Sequence, residues 1–176
     1  LCIGLTSHLI SVYPMVKESD GPSMLEDFCR NVGAPFTIRS DNAKMETGKS
    51  WTSICRKYNI EQQTTEPQSP WQNKAERYIQ VVKKLLNTIM DRQGVPTDMW
   101  ILCASYVVYI WNRTAHPNLN WKTPMEACFG TTPDISNILM FKFWEEVFYY
   151  DHEAPFPESK EKLGRFVGFA ENTGDA

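Results

Sequence analysis

The sequence lacks the patterns that define several large classes of protein. Its five cysteines are odd in number, widely spaced and without a Cys-x-x-Cys pair, which disfavours a disulfide framework and indicates reduced thiols in an intracellular protein. The three histidines have no metal-ligand spacing, so no zinc site is expected in this chain. The longest apolar run, MWILCASYVVYIW, is too short to cross a bilayer, and the opening residues show no signal-peptide pattern, so no membrane association is expected.

A strong excess of positive charge is also missing, because the net charge of the 176 residues is −3. The balance is uneven, however. Residues 1–133 carry fourteen Lys and Arg against twelve Asp and Glu, a net of +2, whereas residues 134–176 carry four against nine, a net of −5. This shift predicts a domain of residues 1–133, followed at 134–176 by a small β-rich region whose acidity argues against its being the main nucleic-acid contact.

Strand-like and helix-like segments alternate along the chain, which predicts an α/β domain with mixed strand directions. The runs LCIGLTS and LISVYPM predict a strand pair, PFTIRSD and IEQQTT two short strands, and KFWEEVFYYD and LGRFVGF two more. Helices are predicted over SDGPSMLEDFCRNVG and SWTSICRKYN, and from Gln72 to Arg92. TDMWILCASYVVYIWNRT is expected to be a helix capped at Thr97 or Asp98, with its apolar residues 99–111 in the core in preference to an interface. TPMEACFG is expected to be a short helix with Pro124 in its first turn.

Two carboxylates occupy positions that suit chemistry. Asp41 ends a predicted strand in TIRSDNA, and carboxylates at strand ends often point into a functional crevice. Glu76 lies in the first turn of the helix that follows the loop TTEPQSPWQN. Taken singly, each residue has a simpler interpretation: Asp41 as a turn residue, and Glu76 as an acid facing the helix dipole.

The helix after this loop is amphipathic. Its apolar face contains Tyr78, Val82, Leu85 and Ile89, with Ile79, Leu86 and Met90 beside them. A polar stripe runs along the other face, and its members are Glu76, Gln80, Lys83, Asn87 and Asp91. A carboxylate followed by amide and cationic groups suits a phosphate backbone, although a solvated face is the usual meaning of such a stripe.

The combination of motifs resembles the integrase catalytic core of retroviruses and, more closely, of copia-type LTR retrotransposons. Members of this family have a strand ending in Ser/Thr-Asp-Asn, a helix and a strand, a Pro-x-x-Pro-x-x-Asn loop, and Ala-Glu-Arg at a helix start. IRSDNA and CRKYNIEQQTTEPQSPWQNKAER follow this order. Asp41 and Glu76, with thirty-four residues between them, match the second catalytic aspartate and the catalytic glutamate. WNRTAHPNLNWKTPMEACFGTTPDIS and KLGRFVGFAENTG extend the resemblance over nearly the whole chain.

The resemblance implies an RNase H-like mixed sheet flanked by helices, followed by a small β-rich extension. It implies a polynucleotidyl transferase and nuclease that processes the 3′ ends of element DNA and joins them to target DNA. Asp41 and Glu76 would be catalytic and would ligate two Mg²⁺ or Mn²⁺ ions in the complete site, since hard oxygen ligands favour these metals. The implied DNA-binding residues are Gln72, Asn73, Lys74, Arg77, Gln80, Lys83 and Lys84. Partners would be element-end DNA, target DNA and further copies of the chain, in the nucleus or a virus-like particle.

Three departures from the family pattern open alternatives. Ala43, Lys44 and Met45 follow Asp-Asn where the family usually has Gly, and Lys74 stands where many members have Gly. The family's first aspartate lies on a strand before the pair that opens this chain, and LCIGLTSHLISVYPMV contains no carboxylate. We therefore expect an N-terminally truncated fragment that lacks its first strand and is inactive alone. The alternatives are a non-catalytic DNA-binding remnant and, less favoured because of the copia-like downstream region, a ribonuclease H or another nuclease of this fold.

Overall fold

A computed structural model describes residues 1–40, 48–64 and 74–170, without the side chains of Thr64 and Lys74. The chain divides into two compact units. The first contains Leu1 and Tyr13–Arg77, and the second contains Cys2–Val12 and Tyr78–Ala176. No helix in the described ranges is long and apolar enough to cross a membrane.

The first unit is built around a parallel strand pair. A 3₁₀ turn at Glu18–Asp20 leads into α1 (Gly21–Asn31), followed by β3 (Thr37–Ser40), α2 (Lys49–Lys57) and β4 (Glu61–Thr64). β3 and β4 run parallel, with Thr37 opposite Glu61 and Ser40 opposite Thr64. Parallel neighbours need a crossover connection, which the stretch containing α2 provides. The carboxyl ends of both strands therefore lie at the same edge.

The core of the first unit follows from helical spacing. Leu25 and Cys29 on α1, and Trp51 and Cys55 on α2, are pairs four residues apart, so each pair lies on one helix face. All four are buried in one cluster together with Ile60, which precedes β4. α1 and α2 thus pack their apolar faces against the same cluster.

The described residues of the second unit contain three helices and two antiparallel strand pairs. β1 (Cys2–Ile3) pairs with β2 (Ile10–Ser11), and β5 (Glu146–Tyr150) pairs with β6 (Glu161–Arg165). α3 (Lys74–Gln93) begins in the first unit and continues into this one, where α4 (Trp100–Asn112) and α5 (Pro124–Phe129) follow. Shorter 3₁₀ turns occupy Thr97–Met99, Pro117–Leu119 and Ser136–Leu139.

α4 lies at the centre of the second unit's core, as its apolar sequence predicts. Its buried residues Cys103, Val107 and Val108 cluster with Val82 of α3 and Phe143. Asn112 at the end of α4 is buried as well, and its side chain makes two hydrogen bonds to the backbone of Ile10. Its Oδ1 accepts from the Ile10 N–H at 2.9 Å, and its Nδ2 donates to the Ile10 carbonyl at 2.7 Å. The Asn112 amide thus makes the hydrogen bonds to the Ile10 N–H and carbonyl that the backbone of a neighbouring strand would otherwise make.

The region after residue 134 carries the β5–β6 hairpin, which in the described residues pairs with no other strand. It is preceded by Phe143, which lies in the core cluster of the second unit. Beyond β6, Phe169 stacks on Tyr109 of α4 with ring centroids 4.6 Å apart. The predicted domain boundary between residues 133 and 134 stays a prediction.

The predicted α/β composition is confirmed, with local corrections. The opening strands are only two residues each, because Gly4 to Leu9 form a turn closed by the Gly4 N–H and the Leu9 carbonyl at 2.8 Å. The cap expected at Thr97 or Asp98 is wrong, since neither the 3₁₀ turn at Thr97–Met99 nor α4 has a side-chain cap. The last strand begins at Glu161 and ends at Arg165, earlier than the run LGRFVGF indicates. The described strands form three two-stranded sheets, so one continuous mixed sheet remains a prediction.

Candidate active site

The strand end that leads to Asp41 is where the sequence places it. β3 ends at Ser40, which is half-buried and opposite Thr64 at the last position of the parallel register. Asp41 itself lies outside the described residues. Its predicted approach to Glu76, close enough to share a divalent ion, therefore stays a prediction.

Glu76 occupies the first turn of α3, as predicted, and its side chain is exposed. The described part of this helix runs from Lys74 to Gln93, 20 residues, and the first two residues of the predicted helix, Gln72 and Asn73, lie outside the described residues. Glu76 belongs to the same compact unit as β3 and β4. A carboxylate in the first turn is favoured by the partial positive charge of the helix N-terminus. Its place is therefore explained by local helix physics whether or not it binds metal.

The loop residues that the resemblance places nearest to DNA fall mostly outside the described ranges. Gln72 and Asn73 lie outside them altogether, and for Lys74 only the backbone is described, as the first residue of α3. Their predicted roles remain untested.

Along the rest of α3 the polar stripe faces solvent. Its five members are all exposed: Glu76, Gln80, Lys83, Asn87 and Asp91. Arg77 and Lys84 are exposed as well. Exposure is what either a DNA-binding face or an ordinary solvated face requires, so the assignment of these residues to DNA stays a prediction.

Leu85 departs from the predicted apolar face, because 38% of its surface is exposed. It is one of the residues that line an apolar cavity of about 410 Å³ within the second unit. The lining residues are Leu85, Ile89, Tyr106, Val107, Ile110, Trp111, Thr114 and His116. Helical periodicity gives the face on which a residue lies but not whether a neighbour covers it.

The sequence did not point to a chain of side-chain hydrogen bonds on the β3–β4 pair. Arg39, one residue before Ser40, donates from Nη2 to Gln63 Oε1 at 2.9 Å. Gln63 in turn donates from Nε2 to Glu61 Oε1 at 3.2 Å. Cross-strand pairs of this kind depend on the register, which the sequence motif IRSD alone does not fix. The result is an exposed cation held one residue before the strand end.

A metal site assembled from the described residues alone is not present. In residues 1–40, 48–64 and 74–170, no group of three or more His, Cys, Asp or Glu side chains could hold a metal ion. The candidate pair, Asp41 and Glu76, has one member outside these ranges. The donor chemistry nevertheless fits Mg²⁺ or Mn²⁺, because both members would offer hard carboxylate oxygens.

The chain is similar in sequence to a protein encoded by a retrotransposon. No family model matches the chain. The chain is 22% identical over 134 residues to the retrovirus-related Pol polyprotein from transposon RE1 of Arabidopsis thaliana. The aligned part is 74% of this chain and 9% of that polyprotein, so the chain spans about a tenth of its relative.

Solved structures of retroviral proteins share its fold. The trimeric and dimeric forms of the HTLV-2 integrase catalytic core domain in complex with magnesium match with TM-scores of 0.59 and 0.57 and identities of 22% and 21%. They cover 72% and 73% of this chain, and 80% and 81% of theirs. The simian T-cell lymphotropic virus intasome in complex with PP2A regulatory subunit B56 gamma, a cryo-EM structure, matches with a TM-score of 0.61 and 19% identity, covering 93% of this chain and 59% of that one.

The sequence similarity and the structural similarity point to the same group of proteins. They confirm the resemblance that the motifs around Asp41 and Glu76 predict: the chain has the fold of a retroviral integrase catalytic core and is similar in sequence to the Pol polyprotein of a retrotransposon.

Proposed function

We propose that this chain is the catalytic core of a copia-type LTR retrotransposon integrase. Such a core is a polynucleotidyl transferase and nuclease that trims the 3′ ends of element DNA and joins them to target DNA. One observation carries the proposal: the integrase-core fold is combined with an exposed carboxylate, Glu76, on the first turn of the helix where the family motif predicts one.

Asp41 and Glu76 would hold the metal in this proposal. When bound, two Mg²⁺ or Mn²⁺ ions supply activation of the attacking oxygen and stabilisation of the leaving oxygen. The presence of magnesium in the HTLV-2 core structures supports divalent metal use in this fold. The chain's own contribution is positional, because Glu76 is carried on a 20-residue helix and Asp41 follows a strand whose register is fixed by β4.

DNA contacts along α3 are the second part of the proposal. Arg77, Gln80, Lys83 and Lys84 are exposed and follow Glu76 on one helix, with Lys83 about two turns beyond it. A cation that neutralises a phosphate releases a counterion on binding. Lys83→Glu should therefore weaken binding to all DNA sequences and reduce the slope of log K against log salt by roughly one unit. Lys142→Glu, an exposed lysine in the acidic C-terminal region, is the control, and an unchanged slope for Lys83→Glu would remove Lys83 from the DNA path.

The catalytic proposal is tested by metal-dependent nicking and strand transfer on labelled element-end DNA. We expect the 176-residue chain alone to be inactive, because two acids cannot hold both ions of a three-acid site. A longer natural chain with an aspartate on a preceding strand should be active with Mg²⁺ or Mn²⁺. In that chain Asp41→Asn and Glu76→Gln should each abolish the products without unfolding the protein. Asp91→Asn, which removes an exposed carboxylate from the same helix, should leave the reaction intact.

The outcomes separate an enzyme from a remnant. Nicking by the 176-residue chain would show that two acids suffice. A longer chain that has the aspartate, folds and binds DNA but never nicks would favour the non-catalytic DNA-binding remnant, with Ala43, Lys44 and Met45 as the first residues to restore. The homo-oligomeric state and the nuclear or virus-like-particle location belong to the same proposal. The dimeric, trimeric and intasome forms of the similar structures support the first of these.

A further inference from the structure

Trp121 is displayed to solvent to an unusual degree. Its side chain is 71% exposed, more than that of any other tryptophan whose side chain the structure describes, and Trp100 follows at 54%. Tryptophan is normally well buried, because its large apolar ring gains most from leaving water. An exposed indole therefore raises the question of what covers it.

The backbone holds the ring in this position. Asn120 and Trp121 both have left-handed conformations, with φ values of 53° and 64°. This region is disfavoured for a bulky L-residue, and such conformations persist only where the surrounding structure imposes them. Here the turn is closed by backbone hydrogen bonds of 3.1 Å from Trp121 N to the His116 carbonyl and from His116 N to the Lys122 carbonyl. Trp121 is thus exposed on an ordered turn.

The base of the turn is tied to the core of the second unit. The ring centroids of His116 and Trp111 lie 4.2 Å apart, and His116 Nε2 lies 3.2 Å from the Trp111 carbonyl oxygen. Trp111 in turn donates from Nε1 to the carbonyl of His8 at 3.3 Å. A rigid platform for the turn lowers the entropy lost when a partner binds.

The stretch of sequence that contains the turn is basic, whereas the chain as a whole is acidic. Between Asp98 and Glu126 the sequence has no Asp or Glu, whereas it has Arg113 and Lys122, in a chain whose net charge is −3. Lys122 is exposed and directly follows Trp121. The complementary partner therefore carries negative charge and a flat apolar face.

We propose that Trp121 and Lys122 form a binding point for an unpaired nucleotide of a nucleic-acid strand. The base stacks on the exposed indole, and the adjoining phosphate contacts the Lys122 ammonium group. Aromatic stacking and backbone neutralisation are the two terms by which single strands are bound without sequence preference. This binding point lies outside the candidate active site. Only the statement that the bound strand is DNA rests on the proposed function.

The test measures binding of the 176-residue chain, without metal, to labelled oligo-deoxythymidine and to a blunt duplex by fluorescence anisotropy. Trp121→Gly is the main variant, because glycine suits the left-handed backbone and should fold at least as well. It should bind the single strand about five- to a hundred-fold more weakly, the effect of losing one base stack. Trp121→Phe should retain most of the affinity, and Trp100→Ala, which removes the second most exposed tryptophan, should bind like wild type.

The two terms can be separated by salt. Lys122→Gln should reduce the slope of log K against log salt for the single strand by about 0.7, whereas Trp121→Gly should leave the slope unchanged. Circular dichroism of each variant confirms that the fold is retained. Single-strand binding by folded Trp121→Gly equal to that of wild type would overturn the inference, as would an equal loss for Trp100→Ala.

Failure here can be told apart from failure of the proposed function. Metal-dependent nicking by a longer chain, without any effect of Trp121→Gly on single-strand binding, refutes this binding point alone. A clear Trp121 effect without metal-dependent nicking in any longer chain refutes the catalytic proposal alone. If wild type binds neither DNA, and Trp121→Gly instead changes its self-association in sedimentation, the surface is a protein contact and the inference is wrong.

Discussion

Asn112 offers the sharpest test of how the second unit is held together. Its side chain is 9% exposed and satisfies both backbone groups of Ile10, a residue that is 1% exposed and 102 positions away in the sequence. Asn112→Ala would leave the Ile10 N–H and carbonyl groups buried without a partner. Each such group costs about 1–3 kcal/mol. We expect the free energy of unfolding to fall by about 2–5 kcal/mol, since water entering the vacated space recovers part of the loss.

A loss of this size is a large part of the roughly 5–15 kcal/mol that usually separates folded from unfolded protein. Equilibrium urea unfolding followed by far-UV circular dichroism measures it as a shift of the midpoint at unchanged slope. Asn87→Ala is the matched control, because Asn87 is exposed within α3 and alanine is the better helix former. This control should change stability by less than about 0.5 kcal/mol. Hydrogen exchange at the Ile10 amide should also quicken in Asn112→Ala and stay slow in the control.

The result that refutes this reasoning is specific. If Asn112→Ala shifts the urea midpoint no more than Asn87→Ala, the two hydrogen bonds to Ile10 do not hold β2 against α4. Asn112→Asp provides a further check, because it keeps an acceptor for the Ile10 N–H but removes the donor to the carbonyl. It should be destabilised as well, since a buried carboxylate facing a carbonyl oxygen has no compensating partner.

Three further predictions concern substitutions at single residues. The hydrogen bond from Lys57 to Glu26, at 2.5 Å, lowers the pKa of Glu26 below its ordinary 4.5. The contribution of this ion pair to folding stability is therefore present above pH 4.5 and is lost as the pH falls through the folded-state pKa of Glu26. Glu26→Gln should lower the melting temperature at about pH 7, and the difference from wild type should vanish in acid. Cys128 is exposed, whereas burial raises the pKa of Cys103 to about 11. A thiol reagent should therefore modify Cys128 rapidly and Cys103 only after unfolding. A fast phase of thiol modification that survives in Cys128→Ser would contradict this prediction. Gly130 follows the last residue of α5 with φ at 77°, and the space where a Cβ would lie is open. Gly130→Ala should therefore lower the free energy of unfolding by about 1 kcal/mol through backbone strain alone, as measured by urea titration. An unchanged free energy of unfolding would show that the turn relaxes freely.

The candidate site was predictable to the extent that local patterns define it. The strand ending at Ser40 and the position of Glu76 in the first turn of a long helix both follow from motifs of a few residues. The helix boundaries, with Gly130 after α5, follow from the same kind of local signal. The approach of Asp41 to Glu76 is a long-range contact. Only the spacing of the motifs supports it, and it stays a prediction.

The amino-acid sequence by itself determined the secondary-structure elements and which face of each helix is apolar, because both depend on contacts between residues three or four positions apart. The solvent-facing stripe from Glu76 to Asp91 and the buried pairs on α1 and α2 are of this kind. Tertiary structure decided which surfaces are covered and by what. It left Leu85 partly exposed beside a cavity, and it paired the Asn112 amide with a strand 102 residues away. These outcomes depend on which segments meet after folding, and no local periodicity encodes that choice.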